Sequence, residues 1–297
     1  MVTVTALLTM ALTASAQSAA LAESASLSPA AQPAGSVALP LPSSPSAESP
    51  AAVRELEVRP PPPVPFQDEL RALQSQLKVI EAKGPSRSTG RSFRQGRLRN
   101  AAQLPLQGLG FRSIRPDRHA YYGTDDMVAG LIDTASRLKQ ADHEMPPLAV
   151  GDLSGPEGGR IAVHRSHRNG RDADLVFFWM DEDGLPVETS EFVRFDRRGR
   201  ARRDGKLLLF DVRRNWNLVR ELLTSPYFGA RVKWIFVYHP LRKLLLDYAE
   251  RNEGDMYLVE YAWRVLQQPG DRAGRHDNHF HLRIDCSSQE QLDGCRD

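Results

Sequence analysis

The sequence is short of several things, and each shortage removes a class of protein. Its 297 residues include only two cysteines, Cys286 and Cys295. That excludes a four-cysteine zinc ribbon, a CxxC redox centre and a disulfide-dense secreted scaffold. Net charge is nearly missing, because 39 Lys and Arg against 37 Asp and Glu leave +2. A nucleic-acid binder working through a dominant positive field is therefore excluded. A membrane span needs about 20 apolar residues, and the N-terminal run Val4 to Leu12 falls well short of it. Finally, no Lys or Arg precedes Arg54, so the average composition mixes two different polymers.

The first polymer is easily described. Val4 to Leu12, followed by Ala14-Ser15-Ala16 and Leu21-Ala22, has the apolar core and small-residue end of a secretory signal peptide without its basic n-region. We expect residues 1–22 to direct export to the periplasm. Eleven of the 21 prolines lie between Pro29 and Pro65 in a background of Ala and Ser. Such a segment buries too little surface to offset its ordering entropy, so residues 23–65 read as a disordered Pro-rich linker. Phe66, Leu70, Leu73, Leu77 and Ile80 fall at helical spacing before Gly84, which predicts an amphipathic helix over about 66–83. Arg87, Arg91, Arg94, Arg97 and Arg99 then read as a solvated basic linker, closing the segment 66–103.

Residues 104–297 have the composition of one folded domain. Thr124 caps an expected helix with Asp125 and Asp126 in its first turn. Leu148-Ala149-Val150, Asp174 to Trp179, Lys206 to Asp211, Val232 to Tyr238 and His279 to Asp285 read as strands. Asn215 to Leu223, Leu241 to Arg251 and Met256 to Leu266 read as helices. Without a regular βαβ alternation, the expected class is α+β, a mostly antiparallel sheet flanked by helices. The glycine-rich stretch Gly151 to Gly159 has neither phosphate-loop order and reads as turns.

Histidine is where chemistry concentrates. Five of the eight lie in two clusters: His164 and His167, followed by Asp174, and His276, His279 and His281. On a strand, period two puts His279, His281 and Arg283 on one face and Phe280, Leu282 and Ile284 on the other. If residues 168–173 loop back to a strand, with Gly170 supplying flexibility, His167 meets Asp174, and His281 completes the set from a neighbouring strand. Two imidazoles and one carboxylate suit a catalytic zinc, which keeps a fourth position for water. Glu157, Glu188 and Glu191 are candidate bases, and nothing in their spacing selects one.

Ser166-His167 to Asp174 (SHxxGxDxD) together with His276 to His281 (HxxHxH) resembles the penicillin-insensitive murein endopeptidases, members of the LAS group of zinc peptidases. The similarity extends to Tyr121-Tyr122-Gly123, Gly151-Asp152-Leu153, Trp234 to Val237, and Arg283 to Cys286 with Gly294-Cys295. The resemblance implies a LAS-type metallopeptidase core and Zn2+ held by His167, Asp174 and His281. It further implies His279 and His276 as catalytic groups, and His164 and Arg283 at the substrate cleft. The implied reaction is hydrolysis of D-alanyl–meso-diaminopimelyl cross-links in peptidoglycan. A D,D-carboxypeptidase and a non-catalytic metal-containing peptidoglycan-binding module are the alternatives. In an oxidising periplasm Cys286 and Cys295 would close a disulfide loop just after the last strand.

Overall fold

Alternation in His279-Phe280-His281-Leu282-Arg283-Ile284 produces a strand whose two faces have opposite chemistry, and the rest of the domain is arranged on that difference. The computed structural model describes residues 84–270 and 274–297, together with Asp68, Arg71, Ala72, Gln74 and Ser75. The expected signal peptide and Pro-rich linker lie outside the described residues. So do the apolar positions of the expected helix over 66–83; the five described residues within it are helical and exposed.

The central sheet has seven strands: β1 (Gln107–Gly108), β2 (Phe111–Ser113), β3 (Leu148–Val150), β4 (Asp172–Val176), β5 (Val232–Phe236), β6 (Leu266–Gln267) and β7 (His279–Ile284). Their order across the sheet is β6-β5-β7-β4-β3-β2-β1. Pairings β5–β7, β7–β4, β4–β3 and β2–β1 are antiparallel; β5–β6 and β3–β2 are parallel. The class is α+β with a mostly antiparallel sheet, as the intermingled elements predicted.

Among the described residues from 84 onward, five α-helices accompany it: α1 (Asp125–Ala141), α2 (Val212–Thr224), α3 (His239–Asn252), α4 (Met256–Val265) and α5 (Ser288–Leu292). Side chains cap most of them. Thr124 Oγ1 accepts from Met127 N, Asp211 from Arg214 N, and Asp255 from Tyr257 N and Leu258 N. Ser287 and Glu290 form a reciprocal capping box on α5. Helix α2 begins three residues before the expected Asn215, because Asp211 is the cap that apolar periodicity does not register. Phe280, Leu282 and Ile284 are fully buried in one cluster with Leu131, Leu218, Leu245 and Val259 from the four longer helices. The opposite face of β7 is left to His279, His281 and Arg283.

The basic stretch from Arg87 to Arg99 is a hairpin instead of a solvated linker. Arg87–Arg91 pairs antiparallel with Arg97–Arg99, and parallel with the short strand Cys295–Arg296. Its arginines take the outward positions, while Ser88, Ser92 and Leu98 between them are buried. A period-two pattern was present, masked by the charge run. Cys286 and Cys295 are joined as a disulfide. Closing so short a loop contributes about 2–3 kcal/mol by chain-entropy arithmetic, and it fixes the segment after β7 to this hairpin.

Candidate metal centre

Strand pairing brings the two motifs together. Antiparallel register sets His281 opposite Asp174 and Arg283 opposite Asp172, so side chains from β7 and β4 point to the same face as direct neighbours. His167 arrives from the loop before β4. Its backbone is left-handed (φ 63°), a conformation that costs energy for a non-glycine residue and must be held by its surroundings. The holding bonds are visible: His167 N donates to Asp172 Oδ2 at 3.1 Å, and Nδ1 donates to Leu153 O at 2.6 Å. Gly170 acts by close approach more than by flexibility. At φ 77° an added Cβ would lie 2.8 Å from both Thr124 N and a Leu98 methyl.

Three donor atoms converge. His167 Nε2 is 3.1 Å from His281 Nδ1 and 3.2 Å from Asp174 Oδ1, and His281 Nδ1 is 3.0 Å from Asp174 Oδ1. Ligand atoms about 3.3 Å apart are what tetrahedral bonds of ~2.0 Å require. Both tautomers are set from behind. Leu153 O can only accept, so His167 carries its proton on Nδ1. Asp172 Oδ1, 3.1 Å from His281 Nε2, likewise takes that nitrogen's proton. Nε2 of His167 and Nδ1 of His281 thus present lone pairs to each other and to a carboxylate, an arrangement that repels itself unless a positive charge sits among them. In the metal-free protein that charge is a proton. Burial opposes it, yet hydrogen bonds to Asp172 and Asp174 raise His281 to about 9. The donor set therefore fits a divalent cation such as zinc.

The second carboxylate does much of the positioning. Asp172 is fully buried. Burial alone would raise its carboxyl, but the charge of Arg283 and the His281 hydrogen bond hold it far below the usual range. It also accepts from the Ser92 hydroxyl of the N-terminal hairpin, and Arg283 Nη1 reaches it at 3.2 Å. Arg283 was expected at the substrate cleft. Its side chain is 4% exposed and engaged with Asp172, so it supports the ligands and does not face substrate. Phe236, opposite His281 in register, stacks on the imidazole at 5.7 Å.

The remaining histidines ring the cluster. His279 Nε2 lies 3.4 Å from Asp174 Oδ1, and its Nδ1 meets Asn278 Oδ1 at 2.6 Å. His276 bonds Gly274 O through Nδ1 at 2.6 Å. Burial, then the neighbouring His279 and His281, lower it to about 3, so it stays neutral. His164 Nε2 is 2.7 Å from Asp152 Oδ2, with Nδ1 3.8 Å from Asp174 Oδ2. His164, His167 and Asp174 also form a group whose donor atoms lie within 4.8 Å. The triangle with His281 is tighter, its donor atoms lying 3.0–3.2 Å apart.

Sequence reasoning missed Asp152, Asp172, Ser92 and Asn278. Asp172 was accessible, because Asp172 and Asp174 share a strand face at period two. Asp152 was taken as part of a turn; it is buried and binds both His164 and Arg118. The glutamates are elsewhere. Glu188 pairs with Arg112 and Glu191 with Arg203. Glu157 lines a cavity with Arg87, Arg97 and Arg99. The chain has two SxxK tetrapeptides, Ser75 to Lys78 and Ser136 to Lys139; the Ser75 hydroxyl donates to Arg71 O and that of Ser136 to Asp133 O, as helical serines ordinarily do.

Two imidazoles, one on a loop and one on β7 and each oriented from behind, meet a carboxylate on the adjoining strand, which makes a candidate metal site of the kind hydrolases use. The chain belongs to the penicillin-insensitive murein endopeptidase family, whose model matches residues 89–297. It is 28% identical over 222 residues to the penicillin-insensitive murein endopeptidase of Haemophilus influenzae, covering 69% of this chain and 70% of that one. Over shorter stretches it is similar to those of Pectobacterium atrosepticum (34% over 93 residues, 31% of this chain and 32% of the relative) and Klebsiella pneumoniae strain 342 (32% over 101 residues, 33% and 35%). Both of these matches span about a third of the relative's length.

Proposed function

We propose that this chain is a zinc-dependent D,D-endopeptidase of peptidoglycan. It hydrolyses the amide between D-alanine and meso-diaminopimelate in cross-linked stem peptides. The observation that carries this reading is the meeting of His167 Nε2, His281 Nδ1 and Asp174 Oδ1 at 3.0–3.2 Å in a chain of this family. Those three atoms would hold the ion. When bound, zinc supplies Lewis acidity toward the amide carbonyl and lowers the pKa of a water toward neutrality.

The chain's own groups handle the protons. His279 donates from Nδ1 to Asn278 Oδ1, which leaves Nε2 facing the reacting region. There it takes a proton from the attacking water, stabilises the developing oxyanion while charged, and returns the proton to the leaving amine. His276 donates from Nδ1 to Gly274 O, so its Nε2 is an acceptor that orients a substrate or water hydrogen. His164, fixed by Asp152, lines the same space.

Location follows from the same reading. No helix among the described residues is long and apolar enough to cross a membrane. The disulfide and the family support a periplasmic enzyme, with residues 1–22 as its leader and 23–65 as a tether. Its catalytic domain would reach back from Leu104 to the hairpin at Arg87.

Sacculi treated with the full chain and resolved by chromatography provide the test. Dimeric muropeptides should fall to monomers, chelation should abolish this, and added zinc should restore it. His167→Ala and Asp174→Ala should each lower the rate by at least about 1,000-fold, consistent with loss of metal activation. Unchanged digestion by either variant would sink the reading. Removal of terminal D-alanine with dimers left intact would assign a carboxypeptidase in its place.

A further inference from the structure

Three guanidiniums lie about this site, and two are bound to its carboxylates. Arg283 is buried against Asp172. Arg118 donates through Nη1 to Asp152 Oδ2 at 3.0 Å and through Nη2 to Ala162 O at 2.8 Å. Arg115 differs. Its side chain is 37% exposed, and its polar partner among the described residues is Asp152 Oδ2 at 3.7 Å, beyond hydrogen-bond reach. What holds it is the ring of Phe192, with the guanidinium carbon 4.4 Å from the centroid.

Phe192 ties that cation to the reacting region. Its ring makes a T-shaped contact with His279 at 5.1 Å. It also lies against Gly151, where an added Cβ would come 2.6 Å from Phe192 Cζ and 3.3 Å from Asp174 Cβ. Only a residue without a side chain lets the ring approach the ligand strand this closely. A cation–π contact fixes a guanidinium without using its N–H groups. The planar fork of Arg115 is therefore held in place beside the ligands with its donors open to solvent.

We propose that Arg115 reads the free carboxylate adjacent to the scissile amide. This rests on the function proposed above. In the D-alanyl–diaminopimelyl bond, the carbon bearing the leaving nitrogen also bears a carboxylate. That anion would enter beside the carboxylates of Asp152 and Asp174, and a cation facing it offsets their repulsion. Arg115 supplies that cation in a bidentate geometry and thereby sets the substrate's register against His279. It is a specificity-determining residue, and the chemical class it selects is an amide with a carboxylate on the leaving side.

The experiment compares two synthetic cross-linked muropeptide dimers, identical except that the diaminopimelyl carboxylate beside the scissile bond is free in one and a carboxamide in the other. Wild type should favour the free acid by about 10- to 100-fold in kcat/KM, the range of a charge-assisted hydrogen bond. Arg115→Gln should lose that preference through a raised KM for the free acid, and Arg115→Lys should keep part of it, having the charge without the fork. Zinc content and thermal midpoint measured on both variants separate this from collapse of the site. Equal rates on the two dimers by wild type, or a preference unchanged in Arg115→Gln, overturns the proposal. Cleavage of neither dimer by wild type overturns the functional reading beneath it.

Discussion

An imidazole offers a lone pair only on the nitrogen that lacks the proton, so a histidine ligand is made by whatever holds the opposite nitrogen. Leu153 O does this for His167 and Asp172 for His281. Asp172→Asn keeps an acceptor but removes the charge that balances the buried Arg283 and polarises His281. We expect zinc affinity to fall by about 10- to 100-fold, measured by competition with a chromogenic chelator, with zinc stoichiometry still approaching one at saturating metal. An affinity equal to wild type would mean that Asp172 serves packing alone. Residue types and spacing were enough to mark His167, Asp174 and His281 as candidates. They did not reveal Asp152, because a lone acid in a glycine-rich stretch looks the same whether it faces solvent or His164.

At the level of elements, β7 does two jobs on its two faces. His281 opposite Asp174 is a register statement, and a shift of one residue would send both imidazoles into the core. Phe280, Leu282 and Ile284 prevent that slip by their burial. Phe280 packs in a T-shaped contact on Phe177 at 4.7 Å. Phe280→Ala should cost about 3–5 kcal/mol of unfolding free energy, read by urea denaturation, and should loosen the metal site in proportion. A cost below 1 kcal/mol would show that the register is held from elsewhere. The alternation was legible because aromatic and branched residues mark one face. Between Arg87 and Arg99 the same alternation was hidden, since serine and leucine among five arginines read as a charge run.

For the molecule as a whole, the hairpin at one end of the domain and the last strand at the other meet. Arg171, fully buried, donates to Ile284 O and to the Asp297 carboxylate. Asp297 also accepts from Cys286 N. Burial would raise the Asp297 carboxyl, but the Arg171 charge lowers it below its ordinary value. A depressed carboxylate contributes stability that is present above the unfolded-state pKa and is lost as pH falls through the folded-state value. Asp297→Asn should therefore lose about 1–3 kcal/mol at neutral pH. Its deficit against wild type should shrink on acidification until the two unfold alike. A deficit independent of pH would assign the effect to shape instead of charge. No local pattern marks Arg171 in the sequence; burial gives it this closing role.

The sequence by itself determined the class of fold, the candidate donor groups and the face of the strand that carries two of the histidines. Each of these follows from residue type and local period, which are properties of neighbours along the chain. Tertiary structure decided which nitrogen of each histidine is available, which arginines are buried on carboxylates and which one is left open, and that a basic stretch before the domain belongs to it. Those are contacts between segments far apart in the chain, set by strand pairing and packing, and no local pattern encodes them.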